Sequence, residues 1–384
     1  SSSNSMRRAR SRSSRARQQH GRQSPLVSAI WTKEQESWSG CQRRLLEELG
    51  LEVEEKGALC MLSCPHNSLL SADVRYTELL GQCRGIVLEK STGKAVCVPF
   101  YKFWNLGEKY ADEIDWSTAV ATEKIDGNLM KLFYYDRCWQ LASNRKLDVH
   151  NRHGKYECTG RSCYELFMEA AANSGLDFER LDSSKTYMFE RVHPDFRLVV
   201  EYNEPKLFHI GTRCLRTLRE LPYEDVGVPK PKEWNVRSEA HCREVLDGLP
   251  AFAEGLVIRD KWCRRVKYKR KLFVMMHAAA GLGDSPSYSW VTRSSAATSM
   301  EVDRLCLNVW LREEESEFGA YFPEHANRMA VVKTVLERGD VFACGSQAHQ
   351  ALTEPRTRDG KGFFTHEAAL WTSLRAHLSQ SKEK

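Results

Sequence analysis

Lys124 sits in the run ATEKIDGNLMKLFYYD, Ala121 to Asp136, with Asp126 two residues on and Gly127 after it. A lysine amine attacks phosphorus well once it is unprotonated. An ordinary lysine, with a pKa of ~10.4, is in that form in roughly one molecule in two thousand at neutral pH. It therefore needs burial or neighbouring cations, both of which disfavour the ammonium. The segment RRVKYK supplies cations, because Arg265, Lys267 and Lys269 share one face of an extended strand. The same three would grip a phosphate and neutralise charge that develops during its transfer.

A nucleotide substrate brings divalent metal, which prefers carboxylate oxygens. Glu190 in TYMFERV and Glu254 in EGLVIRD stand at strand positions able to supply them. Asp126 shares the face of Lys124 if the backbone there is extended, and Gly127 lets the main chain approach a ligand closely. Upstream, CRGIVLE puts Arg84 at the start of a hairpin, and YKFWNLGE sets Lys102 beside Phe103 and Trp104. The aromatic pair offers a stacking surface for an adenine ring, with Lys102 as donor or anion contact. Taken singly, each of these residues has an ordinary explanation as a solvated charge, an ion pair or a core aromatic. Their fixed order along the chain is what argues for chemistry.

The elements that must carry them are strand-rich. GIVLEK and KAVCVPF, separated by STG, predict a β-hairpin from Gly85 to Phe100, and LMKLFYY with WQLAS predicts a second pair around YDR. A helix is expected over RSCYELFMEAAANSG, then strands at TYMFERV, RLVVEY, KLFHIG, EGLVIRD and RRVKYK. Before them, Leu45, Leu46 and Leu49 cluster on one side of a helix expected to end at Gly50. Beyond about Phe273 the apolar residues fall at spacings of three and four, which predicts helices to the end of the chain.

At 384 residues the chain can bury a full core and suits two domains. Its formal net charge of +6 is uneven: the stretch from Met6 to Gln23 carries seven arginines and no acid, and is expected to be disordered. That arm also suits RNA contact or organelle targeting. No apolar run approaches the ~20 residues of a membrane helix. Thirteen cysteines without regular pairing suit a reducing compartment, so the expected location is intracellular, cytoplasmic or nuclear. The expected organisation is a basic arm over 1–25, an α+β catalytic domain with mainly antiparallel sheets over 26–272, and an all-α C-terminal domain over 273–384.

CRGIVLE, YKFWNLGEKY, EKIDGN, TYMFERVHPDFRLVVEY, KLFHIGTR, EGLVIRD and VKYK, in that order from Ser63 to about His277, resemble the RNA ligase 1 family of phage type, within the covalent nucleotidyltransferase superfamily. The resemblance implies an ATP-grasp-like ligase domain followed by a helical, RNA-binding C-terminal domain. It implies that Lys124 attacks the α-phosphate of ATP to give lysyl-AMP, with Lys267 and Lys269 on that phosphate. Glu190 and Glu254 would serve the ribose or the metal, Arg84 the sugar side, and Lys102 and Trp104 the adenylate environment. Magnesium, with manganese as a substitute, is implied at each step. The implied substrates are ATP and RNA ends bearing a 5'-phosphate and a 3'-hydroxyl, in RNA repair or tRNA processing. The resemblance also suits a monomer served by an end-healing kinase or phosphatase. Two residues depart from the pattern: Asn144 in LASNRKL, where the family carries a basic residue or glycine, and Cys64, where a related ligase has tyrosine. The alternatives are a GTP-using capping guanylyltransferase or a DNA ligase of the same superfamily, either of which predicts a β-rich OB domain after VKYK. A catalytically silent RNA-binding homologue is a third.

Overall fold

The computed structural model describes residues 50–64, 80–151, 160–196, 199–279, 299–311, 315–338 and 367–380. The basic arm and the helix read around Leu45, Leu46 and Leu49 lie outside the described residues.

The strands form three sheets. The first is a meander of β1 (Glu52–Lys56), β2 (Leu59–Ser63), β3 (Arg84–Glu89) and β4 (Ala95–Cys97). The predicted hairpin is therefore present, but its second strand is short. Pro99 offers no amide, and the Val98 amide leaves the ladder to donate to Thr186 Oγ1 at 3.0 Å. The second sheet contains β7 (Asn128–Tyr135), β8 (Cys138–Ser143), β9 (Lys185–Val192) and β10 (Lys206–Cys214), ordered β10-β9-β7-β8 and antiparallel throughout. Met61 and Val87 of the first sheet pack against Phe133 and Ala142 of the second.

The third sheet is assembled from distant segments: β5 (Trp104–Asn105), β6 (Val120–Lys124), β11 (Glu233–Asn235), β12 (Gly255–Arg259) and β13 (Arg265–Lys269). Its order is β11-β6-β12-β13-β5, and only the β13–β5 pair is parallel. One face carries Ala121, Leu256, Ile258 and Val266, buried with Cys242 and Leu246 of α2 (Glu239–Asp247). The other face carries the polar alternates and is left for the cavity described below.

Helix α1 (Cys163–Ser174) covers the second sheet through Phe167, Ala170 and Ala171. Its limits are legible in the sequence: Ser162 and Glu165 form a reciprocal capping box, and Gly175 closes the helix at φ 79°. From Lys271 onward every described element is helical: α3 (Lys271–Ala279), α4 (Ser299–Leu311), α5 (Glu315–Tyr321), α6 (Ala326–Arg338) and α7 (Glu367–Gln380), with a short 3-10 turn before α6. Leu305, Val309, Phe318, Val332 and Leu374 form their shared core, and Val274 of α3 joins it. The other face of α3 buries Phe273 and Met276 against Val199.

The described part of RLVVEY, residues 199–202, does not form the expected strand. Val199 and Val200 lie in a bend, and both amides are taken by the Asp126 carboxylate in place of a strand partner. Among the described residues every cysteine is a free thiol, and no helix is long and apolar enough to cross a membrane.

Candidate active site

Strand register builds the floor of the site. Lys124 on β6 stands opposite Gly255 on β12, which stands opposite Lys269 on β13. One pleat along, Thr122, Val257 and Lys267 form the next row, and Val120, Arg259 and Arg265 the one after. Period-two alternation therefore puts Lys267, Lys269 and Arg265 on one face, as the sequence predicts, and strand pairing adds Lys124 to it. Gly255 is required in its row: at φ +154° a Cβ would stand 2.2 Å from the Tyr268 carbonyl oxygen. The face floors a cavity of about 460 Å³ whose walls include Arg84, Lys102, Phe103, Gly127 and Glu190. A cavity of several hundred Å³ suits a ligand the size of a nucleotide.

The first neighbour of Lys124 is a carboxylate. Glu254 lies 2.8 Å from Lys124 Nζ and 3.3 Å from Lys269 Nζ, bridging the two lysines across Gly255. Burial pushes the Glu254 carboxyl up, but Lys124 and Lys269 outweigh it and hold it below the usual range. Glu190, opposite, is pushed up to about 8, chiefly by burial, with Glu254 and Asp126 adding to the shift against the pull of Lys124. Lys102 is pushed down to about 7, first by burial and then by Lys267 and Arg84. Lys267 is also lowered, by burial above all. Burial thus makes Lys102 and Lys267 costly to keep charged.

Three sequence expectations change. Trp104 does not face the cavity. It is 5 % exposed, packed in the core behind β3 with its ring 5.4 Å from Tyr110, and Lys102 Nζ lies 4.8 Å from the Trp104 ring centroid. Neighbours in an extended segment point to opposite sides, so Phe103 and Trp104 cannot both line one surface, and Phe103 is the one that does. Asp126 is also absent from the lining. Its Oδ2 accepts the amides of Val199 and Val200 at 2.8 and 2.7 Å, because the chain leaves strand geometry after Lys124. The close approach at Gly127 is to the protein itself, where a Cβ would meet the Arg191 carbonyl oxygen at 2.5 Å. Gly127 lets the loop after Lys124 lie against β9 beside Glu190. Arg191, fully buried, locks that contact by donating to Asn128 Oδ1 at 3.1 Å and to the Cys163 carbonyl at 3.0 Å.

Several partners within the site carried no motif, and one of them takes up Arg265, which the sequence offers to phosphate. Arg265 makes a bidentate pair with Glu220, at 2.7 and 2.8 Å, and its guanidinium lies 4.2 Å from the Phe100 ring centroid. Lys131, inside the apolar run LMKLFYY, is fully buried and donates to the Gly85 carbonyl beside Arg84. Its pKa falls to about 8 through burial. Glu317, from a helix far along the chain, pairs with Lys267 at 2.7 Å and Lys269 at 3.2 Å. Nothing local in the acidic run REEESEF marks which glutamate would do so. The two departures from the family pattern lie close together, since Cys64 and Asn144 line a small cleft with Arg84 and Arg145 at the edge of the site.

Among the described residues no cluster of three or more His, Cys, Asp or Glu could hold a metal alone. Glu190 fits a divalent ion that takes its remaining ligands from phosphates and water. It is a cavity-lining carboxyl kept neutral by burial and by two neighbouring carboxylates, and a cation would reverse that. Glu254 already holds two lysines, so a metal there would compete with them for its oxygens.

No protein-family model matches the chain. Over 185 residues it is 31% identical to an RNA ligase of Rhodothermus phage RM378, a match covering 40% of this chain and 41% of that protein. It is 26% identical over 227 residues to a protein of Autographa californica nuclear polyhedrosis virus named "Putative bifunctional polynucleotide kinase/RNA ligase", covering 54% of this chain and 32% of the relative. The chain thus spans less than half the length of either. Among solved structures it is similar to an archaeal ATP-dependent RNA ligase, at 14% identity, 83% coverage of each chain and a TM-score of 0.44. The curated relatives it is similar to are named "RNA ligase", "Putative RNA ligase" and "Putative bifunctional polynucleotide kinase/RNA ligase", which is the family that the sequence motifs resemble.

Proposed function

We propose that the protein is an ATP-dependent RNA ligase that joins RNA 5'-phosphate and 3'-hydroxyl ends. The observation that carries this reading is the row Lys124–Gly255–Lys269, bridged by Glu254, on the floor of a nucleotide-sized cavity. Lys124, neutral at the moment of reaction, forms a bond to the α-phosphorus of ATP, and the bond to pyrophosphate breaks. Lys267 and Lys269 neutralise the charge that builds on the phosphate. Glu254 orients Lys124 and ties it to Lys269. The lysyl-AMP then passes its adenylate to an RNA 5'-phosphate, and an RNA 3'-hydroxyl displaces AMP to form the phosphodiester.

In this reading Arg84, Lys102 and Phe103 contact the nucleotide, with Trp104 bracing Lys102 from behind. Glu190 would hold a magnesium or manganese ion, which stabilises phosphoryl charge when bound. Asp126 and Gly127 act at one remove, by fixing the loop that follows Lys124. Residues 26–272 would then form the nucleotidyltransferase domain and 273–384 a helical domain that binds RNA. The free thiols fit an intracellular setting.

Incubation with α-labelled ATP and magnesium should label the protein, and Lys124→Ala should remove the label. Label that persists in the variant would reject Lys124 as nucleophile. A capping enzyme would take label from GTP instead, and a DNA ligase would seal nicked DNA rather than single-stranded RNA.

A further inference from the structure

The cation pair assigned above to phosphate already holds an anion from its own chain. Glu317 on α5 lies 2.7 Å from Lys267 Nζ and 3.2 Å from Lys269 Nζ, and Asn105 Nδ2 donates to it at 3.1 Å. One turn on, the Tyr321 hydroxyl accepts the Lys269 amide at 2.8 Å and donates to Asn105 Oδ1 at 3.3 Å. Two residues of a short helix therefore clasp the end of β13 and the adjoining β5. The neighbouring Phe318 points the other way, into the core shared by the C-terminal helices. Lys269 and Lys267 outweigh burial and hold the Glu317 carboxyl well below the usual carboxylate range, so it is ionised at neutral pH.

We propose that Glu317 is an anionic placeholder in the phosphate subsite, which a nucleotide must displace before its phosphate reaches Lys267 and Lys269. The proposal rests on the nucleotide reading of the cavity and deepens it with a gate. The physical ground is that a carboxylate within hydrogen-bond reach of both ammonium groups occupies the donors a phosphate oxygen would use. A phosphate brought to the same two donors meets a like charge at short range, in a site where water screens poorly. In the free protein the gate has a second effect: it compensates two lysines that would otherwise be buried side by side without a shared counter-charge. Displacement moves that compensation from Glu317 to the ligand. The gate therefore favours charge-dense phosphates over weaker anions, at the cost of affinity for all of them.

The test is Glu317→Gln in the full chain, with the ATP concentration for half-maximal self-labelling as readout. Glutamine keeps the size and a hydrogen-bond acceptor but removes the charge, so that concentration should fall roughly tenfold. An unchanged or higher concentration would overturn the gate and leave Glu317 as a group that merely positions the lysines. Binding of inorganic pyrophosphate, measured by calorimetry, should tighten in parallel. This second readout separates the two claims: if the wild type takes no label from ATP, the ligase reading fails, while tighter pyrophosphate binding by the variant would still support the gate. Tyr321→Phe guards against a misfolded Glu317→Gln. It retains every Glu317 contact but unfastens the clasp, and should lower the half-maximal concentration in the same direction by a smaller factor. No shift in Tyr321→Phe, with Glu317→Gln unfolded, would also overturn the proposal.

Discussion

Replacing Asp126 should separate its charge from its hydrogen bonds. Its Oδ2 holds the amides of Val199 and Val200, and that bend packs Val199 against Phe273 and Met276 of α3. Asp126→Ala strips both amides of their acceptor, and hydrogen bonds to a charged group contribute ~1.5–3 kcal/mol each. Part of that is offset. Burial, and then the Glu254 charge, push the Asp126 carboxyl pKa up, so the ionised form is held at some cost that alanine removes. The balance is a loss of ~2–3 kcal/mol for Asp126→Ala, a fall in Tm of roughly 2–4 °C for a chain of this size. Asp126→Asn keeps an oxygen for the amides and discards the buried charge, so it should stay within ~1 kcal/mol of the wild type. Thermal and urea unfolding followed by circular dichroism measure both. Equal stability of Asp126→Ala and Asp126→Asn would refute the reasoning, because the amides would then be satisfied without the carboxylate.

Stability should rise with pH above neutrality. Lys102 is held at about 7 and Lys131 at about 8, both chiefly by burial, whereas an unfolded lysine titrates near ~10.4. From about pH 7 to 10 the unfolded chain therefore binds more protons than the native one, and the native state gains on the order of 1 kcal/mol per pH unit for each group. Lys102→Met should remove the part of that slope that begins near pH 7, measured by urea midpoints across the range; an unchanged slope would show that Lys102 does not titrate in the window. Gly127→Ala sets a Cβ 2.5 Å from the Arg191 carbonyl oxygen and 3.0 Å from Glu190 Cγ. We expect a stability loss of ~1–3 kcal/mol, with self-labelling reduced through the displaced Glu190. Normal labelling together with normal stability would show that the loop tolerates a side chain there.

Much of the site was legible because short-range rules govern it. Once β12 and β13 form, alternation alone commits Arg265, Lys267 and Lys269 to one face. The helix from Cys163 to Ser174 announces itself through Ser162, Glu165 and Gly175, since a capping box and a left-handed glycine are local devices. Errors arose where a neighbour far along the chain competed for the same group. Val199 and Val200 have strand-like side chains, yet their amides go to Asp126, a partner more than 70 residues away. Phe103 and Trp104 are equally aromatic, and only the packing of β5 against β13 decides which of them meets the cavity.

By itself, then, the sequence determined the strand periodicity, the helix caps, the order of the charged segments and the identity of Lys124 as the residue to test. Tertiary structure alone decided that Lys124 meets Glu254 first, that Gly127 approaches β9, and that Glu317 reaches back to Lys267 and Lys269. The reason is range: alternation and capping act between residues a few positions apart, whereas an ion pair depends on where the fold carries two charges, which no local pattern encodes.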